Sequence, residues 1–197
     1  TGLICTLLFS SCGSKEEEEQ KDESSVSALG AMKAMKEMAD QAEELEKNGP
    51  VEAVDFRTLK DMLPADAGGL PRKEASGEKN GTAGLVISTA TGNYANTDNS
   101  ETIDLTIVDA GGTTMLMGLA AWSVVEVDKE TENGYEKTGK MGDYKSFEKY
   151  DNTNKDGELA LLVNKRFIVT AKGRGVSMDK LKATVEEVDL PKLAGLK

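Results

Sequence analysis

Carboxylates are the side chains that could carry acid–base chemistry in this chain of 197 residues, because it has 35 acidic residues and no histidine. The lack of histidine excludes His-ligated metal sites, Ser-His-Asp and Cys-His catalysis, and proton transfer by imidazole. Paired carboxylates could still hydrolyse a substrate. The candidates fall on predicted strands or turns, where a charged side chain is normally solvated: Asp104, Asp109, Glu126, Asp128 and Glu130. Solvated charges are the favoured interpretation, and a carboxylate-dependent hydrolase is the third hypothesis for function.

Three short motifs imitate ligand-binding loops. Residues 152–157, Asn-Thr-Asn-Lys-Asp-Gly, repeat the first half of an EF-hand loop, but Ala160 and Val163 stand where the later calcium ligands are needed. Gly111-Gly112 and Gly173-Arg174-Gly175 lack the glycine spacing of a phosphate-binding loop. We therefore predict tight turns at all three places, and we predict no catalytic residue, cofactor site or metal site.

Four aromatic side chains could form a binding surface, since an apolar ring with a polar tip suits sugars and proteins. These candidates are Trp122, Tyr135, Tyr144 and Tyr150. Aromatic residues make up only 5% of the chain, so the core needs most of them. Packing in the core is therefore the favoured alternative to a binding surface.

The charge and the apolar content limit the class of protein. The formal net charge of −11 argues against a nucleic-acid partner, which requires a clustered basic face. The length allows one domain with appendages, and about 150 residues suffice for a self-sufficient core. The two cysteines, Cys5 and Cys12, both precede the predicted domain, so that domain must be stable without a disulfide.

The N-terminal segment has the pattern of a secretory signal. Its apolar block, residues 3–9, is followed by small residues and is too short to span a bilayer. The stretch Leu8-Phe9-Ser10-Ser11-Cys12 resembles the lipobox of bacterial lipoproteins, with Phe9 where Leu, Ala or Val is commoner. The resemblance implies that residues 1–11 are a signal peptide truncated at its N-terminus. It also implies that Cys12 carries lipid and becomes the first mature residue.

Residues 12–23 are predicted to form a disordered acidic tether. The run Lys-Glu-Glu-Glu-Glu-Gln-Lys-Asp-Glu, residues 15–23, cannot bury enough apolar surface to become ordered. The acidic run behind Cys12 resembles the surface-export signal of Bacteroidetes lipoproteins, and Gly13 at the second mature position resembles outer-membrane sorting in other Gram-negative lipoproteins. We expect a lipid-anchored protein of the outer membrane, with its domain facing either the cell surface or the periplasm.

Residues 24–49 are predicted to form an amphipathic helix. Alanine and methionine recur at steps of three and four residues, which gives one shallow apolar stripe, and Asn48-Gly49-Pro50 ends the helix. The favoured interpretation is a spacer helix or one docked on its own domain. The alternative is a weak coiled coil or a partner-binding helix, because flexible Met side chains adapt to a groove.

Residues 50–197 are predicted to form an α+β domain, with an antiparallel sheet flanked by helices. Alternating residues and turn signals predict strands, and Asp55, Thr113 and Ser177 are predicted helix caps. The strands are predicted at 72–77, 83–89, 101–109, 123–129, 135–141, 144–150, 158–164 and 166–172. This layout resembles small lipoprotein domains of the Mog1/PsbP type, in which a terminal helix closes the core.

The sequence therefore favours a lipid-anchored envelope protein whose domain binds a ligand without transforming it. The expected partners are the membrane, through Cys12, and an unknown protein or glycan. The alternative is an accessory or assembly subunit of an envelope complex that docks through the helix of residues 24–48.

Overall fold

The computed structural model describes residues 51–82, 85–111 and 118–197, together with seven single positions between 32 and 47. Those seven positions are helical and exposed: Met32, Met35, Lys36, Ala39, Asp40, Glu43 and Lys47. The predicted signal peptide, the lipidated Cys12, the acidic tether and most of the helix at 24–49 lie outside the described residues. Within the described part of the chain, no helix is long and apolar enough to cross a membrane.

Nine antiparallel strands form a single sheet, which confirms the predicted α+β class with an antiparallel sheet. The strands are β1 (Asp66–Ala67), β2 (Leu70–Thr82), β3 (Leu85–Ala95), β4 (Thr102–Asp109), β5 (Asp128–Thr131), β6 (Gly134–Met141), β7 (Tyr144–Asp151), β8 (Asp156–Val163) and β9 (Phe167–Arg174). Their order is β1-β2-β3-β4-β9-β8-β7-β6-β5. Two meanders, β1–β4 and β5–β9, thus meet where β4 pairs with β9.

Short helices cover one face of this sheet. They are α1 (Phe56–Lys60), α2 (Met178–Glu186) and α3 (Leu190–Ala194), and residues Ala121–Val124 form a 3-10 turn. Asp55 and Ser177 cap α1 and α2 as predicted, since each side chain accepts a hydrogen bond from a backbone N–H of the first turn. Asp189 caps α3 in the same way.

The core lies between the helices and the sheet. Alternation in the central strands sends Leu105, Leu161 and Val169 to the helix side, where they are fully buried with Leu181 of α2. We call this side the covered face and the opposite side the open face. Residues that alternate with the core positions therefore line the open face.

Two predicted strands need correction. The predicted strand at 123–129 is wrong at residues 123–127, because residues 121–124 form the 3-10 turn and β5 begins only at Asp128. Trp122 packs against the Phe147 ring there, at 6.2 Å between ring centroids. This tertiary contact stabilises the turn more than the alternating pattern of residues 123–129 favours a strand. The predicted strands at 72–77 and 83–89 are too short, because β2 and β3 pair along almost their whole length. The helix predicted from Thr113 lies mostly outside the described residues.

Candidate functional site

A row of alternating charges crosses the open face. The strand register places six side chains side by side on β4, β9, β8, β7, β6 and β5: Asp104, Lys172, Glu158, Lys149, Glu136 and Lys129. Adjacent strands lie about 4.8 Å apart, so the row is about 24 Å long. We call these six residues the charge ladder. On each neighbouring pair of strands, a carboxylate lies beside an ammonium group.

Two of the ladder carboxylates, Glu158 and Glu136, are less exposed than the lysines that pair with them. Lys172 Nζ is 3.3 Å from Glu158 Oε2, and Lys149 Nζ is 3.7 Å from Glu136 Oε2. The side chains of Lys172 and Lys149 are 61% and 64% exposed, whereas those of Glu158 and Glu136 are 34% and 35% exposed. Such exposed pairs add little to stability. At these two pairs, the lysine tips are therefore the groups that a ligand would reach first.

The ladder lies on the floor of an open groove with a volume of about 610 Å³, within the usual range for small-molecule pockets. Four cationic and five anionic residues line it: Lys129, Lys149, Lys172, Arg174, Asp104, Glu136, Asp151, Asp156 and Glu158. Positive and negative groups nearly balance here, in a chain with a net charge of −11. The groove thus offers both signs of charge at a regular spacing.

The end of the groove is formed by the β7–β8 hairpin, which contains the EF-hand-like motif. Asp151 Oδ1 accepts hydrogen bonds from the backbone N–H of Thr153 at 2.7 Å and of Asn154 at 3.0 Å. These backbone hydrogen bonds lower the pKa of Asp151, which keeps its carboxylate ionised rather than able to act as a general acid. In the described residues, no group of three or more acidic or cysteine side chains could hold a metal ion.

The predicted aromatic candidates do not form one surface. Trp122 packs with Phe147 on the open face, beside the apolar residues Leu162 and Ile168. Tyr144 packs against the main core and lines a separate cavity of about 340 Å³. The other two candidates, Tyr135 and Tyr150, border the groove and are neighbours, with ring centroids 6.2 Å apart.

Both tyrosines turn their rings to the covered face. The Tyr150 hydroxyl donates to the carbonyl of Val176 at 2.9 Å, and the Tyr135 hydroxyl donates to Glu148 Oε2 at 3.3 Å. Glu148 also pairs with Lys137 at 3.6 Å and with Lys182 of α2 at 3.2 Å. The two tyrosines therefore support the groove from behind instead of offering stacking surfaces inside it.

Replacing Tyr135 with Phe is expected to make the loss of stability above pH 10 shallower. Burial and the Glu148 carboxylate raise the pKa of Tyr135 to about 12, whereas the unfolded phenol titrates near 10. Its contribution is thus full below pH 10 and is lost as the pH rises towards 12. Tyr94 and Tyr150 keep their raised pKa values, so the slope should fall without vanishing. Urea unfolding at pH 9, 10 and 11 measures this slope, and equal slopes would contradict the prediction.

Among the predicted carboxylates, only Asp104 lines the groove. Glu126, Asp128 and Glu130 are exposed near or on β5. The expectation of a solvated side chain is wrong for Asp109, which is fully buried and pairs with Arg166. Sequence reasoning missed five of the six ladder residues: Lys129, Glu136, Lys149, Glu158 and Lys172. The sequence shows that charged residues alternate with other residues along these strands. Only the register in which the strands pair brings those charges into one row.

The fold and groove define a class: an α+β protein with an open antiparallel sheet and a polar, charge-balanced groove on its uncovered face. Comparison with known proteins adds no family to this description, because no family model, no curated protein and no solved structure matches the chain.

Proposed function

We propose that this chain is a lipid-anchored protein of the bacterial cell envelope whose sheet domain binds a ligand in the open-face groove. The observation that carries the proposal is the groove itself, about 610 Å³ in volume, with the charge ladder along its floor. The exposed lysines and partly buried carboxylates can bind a ligand that carries both charges or many hydrogen-bonding groups. A protein segment or a glycan with charged groups has this chemistry. The proposed role is binding without chemical transformation.

The anchor part of the proposal rests on the sequence around Cys12. Leu8-Phe9-Ser10-Ser11-Cys12 resembles a lipobox, and residues 12–23, which are rich in glutamate, follow as the proposed solvated tether between membrane and domain. Two or three acyl chains bind a bilayer far more firmly than a single myristoyl group, at about 0.8 kcal/mol per buried CH₂. The outer membrane is the proposed site, facing either the surface or the periplasm.

The anchor is tested by treating intact cells with protease and following the protein by immunoblot, with lysed cells and a Cys12→Ala variant alongside. We expect the wild-type protein to fractionate with membranes and the variant to be released. Degradation in intact cells would place the domain outside, and protection until lysis would place it in the periplasm. A Cys12→Ala protein that still fractionates with membranes would refute the anchor.

The groove is tested by a charge reversal with a matched control. The probes are a panel of immobilised glycans and a library of charged peptides, screened with the full chain. Lys172→Glu reverses an exposed charge in the ladder, and Lys192→Glu makes the same change at an exposed position of α3, outside the groove. We expect Lys172→Glu to weaken binding of a captured probe at least about tenfold, a change of about 1.4 kcal/mol, and Lys192→Glu to leave it unchanged. Equal binding by both variants would refute the groove as the site.

A second candidate function is docking of an accessory subunit through the helix of residues 24–48. The observation that favours it is the exposure of Met32 and Met35, which lie on one helical face and are 69% and 71% exposed. Deletion of residues 24–48 separates the two functions. A docking subunit should lose its partner on deletion, whereas a groove-binding module should keep its ligand.

A further inference from the structure

The outer edge of β5 carries backbone groups that no described strand pairs. β5 ends the sheet beside β6, and all four of its residues are exposed. Thr138 N donates to Val127 O at 2.8 Å, and residues that exchange hydrogen bonds with an antiparallel neighbour alternate with residues that do not. The N–H and C=O groups of Asp128 and Glu130 therefore point away from β6. Within the described residues, no hydrogen bond reaches these four groups.

Two rows of alternating charge end on this edge. On the open face, Lys129 is the last residue of the charge ladder. On the covered face, Asp128 lies beside Lys137, which in turn pairs with Glu148 at 3.6 Å. Glu130 lies on the same face as Asp128, because side chains alternate along a strand. In the part of the chain that the structure describes, Asp128, Lys129 and Glu130 form no ion pair. Each row thus stops at β5 without the counter-charge that would continue it.

These three charges specify the strand that can pair with β5. An antiparallel partner places one residue directly opposite each of them, where opposite charges stabilise the pair and like charges destabilise it. A base must face Asp128 and Glu130, and an acid must face Lys129. The required pattern is lysine, glutamate, lysine, and its acid extends the charge ladder to a seventh strand. Short, charged edges resist unspecific pairing, so a partner has to match this pattern.

A second copy of the chain does not match it. Two-fold antiparallel pairing keeps each side chain on its own face, so every such register is centred on one residue of β5. A register centred on Asp128, Lys129 or Glu130 puts that residue opposite its own copy. The register centred on Thr131 puts Glu130 opposite Glu132. Like charges meet in every case, which favours a different chain as the partner.

We propose that the outer edge of β5 binds one extended segment of a partner protein by antiparallel strand pairing, and that this segment carries the pattern lysine-glutamate-lysine. Backbone hydrogen bonds to Asp128 and Glu130 supply affinity, and the three facing charges supply selectivity. Lys129 and Thr131 also line the groove, so the bound segment lies along its rim. The inference rests on the proposed function, because it specifies the protein segment that the domain binds.

The test compares two fluorescent peptides with blocked termini in anisotropy titrations of the full chain at low salt. The matched peptide is Val-Thr-Lys-Glu-Lys-Val-Thr, and the control, Val-Lys-Thr-Glu-Val-Lys-Thr, has the same composition and net charge but separates its charges. We expect the matched peptide to bind at least about tenfold more tightly. Combining Asp128→Lys, Lys129→Glu and Glu130→Lys should reverse the preference, so that Val-Thr-Glu-Lys-Glu-Val-Thr binds instead. Equal or unmeasurable binding of the first two peptides overturns the proposal, as does a combined variant that still prefers the matched peptide.

N-methylation separates strand pairing from simple charge attraction. Methyl groups on the backbone nitrogens of both lysines in the matched peptide remove the N–H groups that donate to the Asp128 and Glu130 carbonyls, while every charge stays. We expect binding to fall at least about tenfold, because two backbone hydrogen bonds are lost. Undiminished binding would refute strand pairing at this edge.

Lys172→Glu distinguishes a failure of this inference from a failure of the groove. Lys172 lines the groove on β9, and three strands separate β9 from β5, so the variant should bind the matched peptide like the wild type. If it weakens that peptide as much as the combined β5 variant does, the peptide lies in the groove, and the edge site is refuted. If no glycan or peptide depends on Lys172 but the charge reversal at β5 succeeds, the groove function fails and the edge site stands.

Discussion

Replacing Asp109 with Asn is expected to lower the free energy of unfolding by about 3–5 kcal/mol, because it leaves a buried arginine without its counter-ion. The Asp109 side chain is fully buried, and its partner Arg166 is only 10% exposed in its side chain. The two groups form a bidentate pair, with Arg166 Nε 2.9 Å from Oδ1 and Arg166 Nη2 2.7 Å from Oδ2. Asparagine keeps the shape of the side chain but removes its charge and one of its two acceptors.

The rest of the Asp109 environment increases the cost. Gly111 N donates to Oδ1 at 2.8 Å and Val54 N donates to Oδ2 at 2.8 Å, so each carboxylate oxygen accepts two hydrogen bonds. In the variant, an amide NH₂ would face two donors whichever way it turned. The same pair connects four parts of the chain: residues 52–54, the end of β4, the β8–β9 turn, and the Leu196 carbonyl, which accepts from Arg166 Nη1. Loss of the pair should therefore weaken the whole domain.

Asp104→Asn is the matched control for this prediction. Asp104 lies on the same strand, but it is exposed, and its contact is a hydrogen bond from Asn93 Nδ2 at 2.6 Å that an amide oxygen can still accept. Its effect should stay within about 0.5 kcal/mol. Urea unfolding of both variants at pH 7 gives the two free energies. A loss of less than about 1 kcal/mol for Asp109→Asn would contradict the proposed role of the pair.

Much of the fold could be predicted because local patterns and tertiary packing agree in the central strands. Residues 102–107 alternate between polar and apolar side chains, and the structure buries Ile103, Leu105 and Ile107. The helix caps Asp55 and Ser177 were equally readable, because their chemistry is local. β2 was harder to recognise: it is rich in Glu, Lys and Gly and takes its stability from pairing with β3.

The candidate site could not be predicted to the same extent, because it depends on the register in which the strands pair, and the sequence does not show that register. A charge on a strand is normally solvated, so Glu158 and Lys172 carried no signal of their own. Only the pairing of β8 with β9 places them side by side. Asp109 illustrates the opposite difficulty. It falls at the same alternate positions as the buried Ile103, Leu105 and Ile107, but its partner Arg166 follows 57 residues later and gives no local signal.

Replacing Gly134 with Ala is expected to cost about 3 kcal/mol or more, because a methyl group has no space at this position. A Cβ on Gly134 would collide with the backbone carbonyl of Tyr150 on the neighbouring strand β7. A carbonyl within a strand ladder cannot move without stretching its own hydrogen bonds, so β6 and β7 would have to separate locally. Overpacking of this kind typically costs 1–3 kcal/mol, and a clash with backbone belongs at the upper end.

Gly139→Ala separates this steric cost from the general effect of adding a methyl group to β6. Gly139 lies five residues further along the same strand, is exposed, and would place its Cβ 3.6 Å from Ser146 Oγ, an ordinary contact. There, alanine should be neutral or should stabilise by about 0.5 kcal/mol, because it restricts the unfolded chain. The measurement is the difference between the two urea midpoints.

The two glycine variants also distinguish between two reasons for a glycine at position 134: a turn that needs a positive φ, and close packing between strands. The sequence suggests an Asn-Gly turn that needs positive φ angles. In the structure, however, Thr131 pairs with Gly134, which puts the turn at Glu132 and Asn133, and Gly134 is the first residue of β6. A large loss for Gly134→Ala with no loss for Gly139→Ala would assign this glycine to close strand packing. If both variants lose little stability, β7 can move to accommodate the methyl group. The close approach to the Tyr150 carbonyl would then not be the reason for glycine at this position.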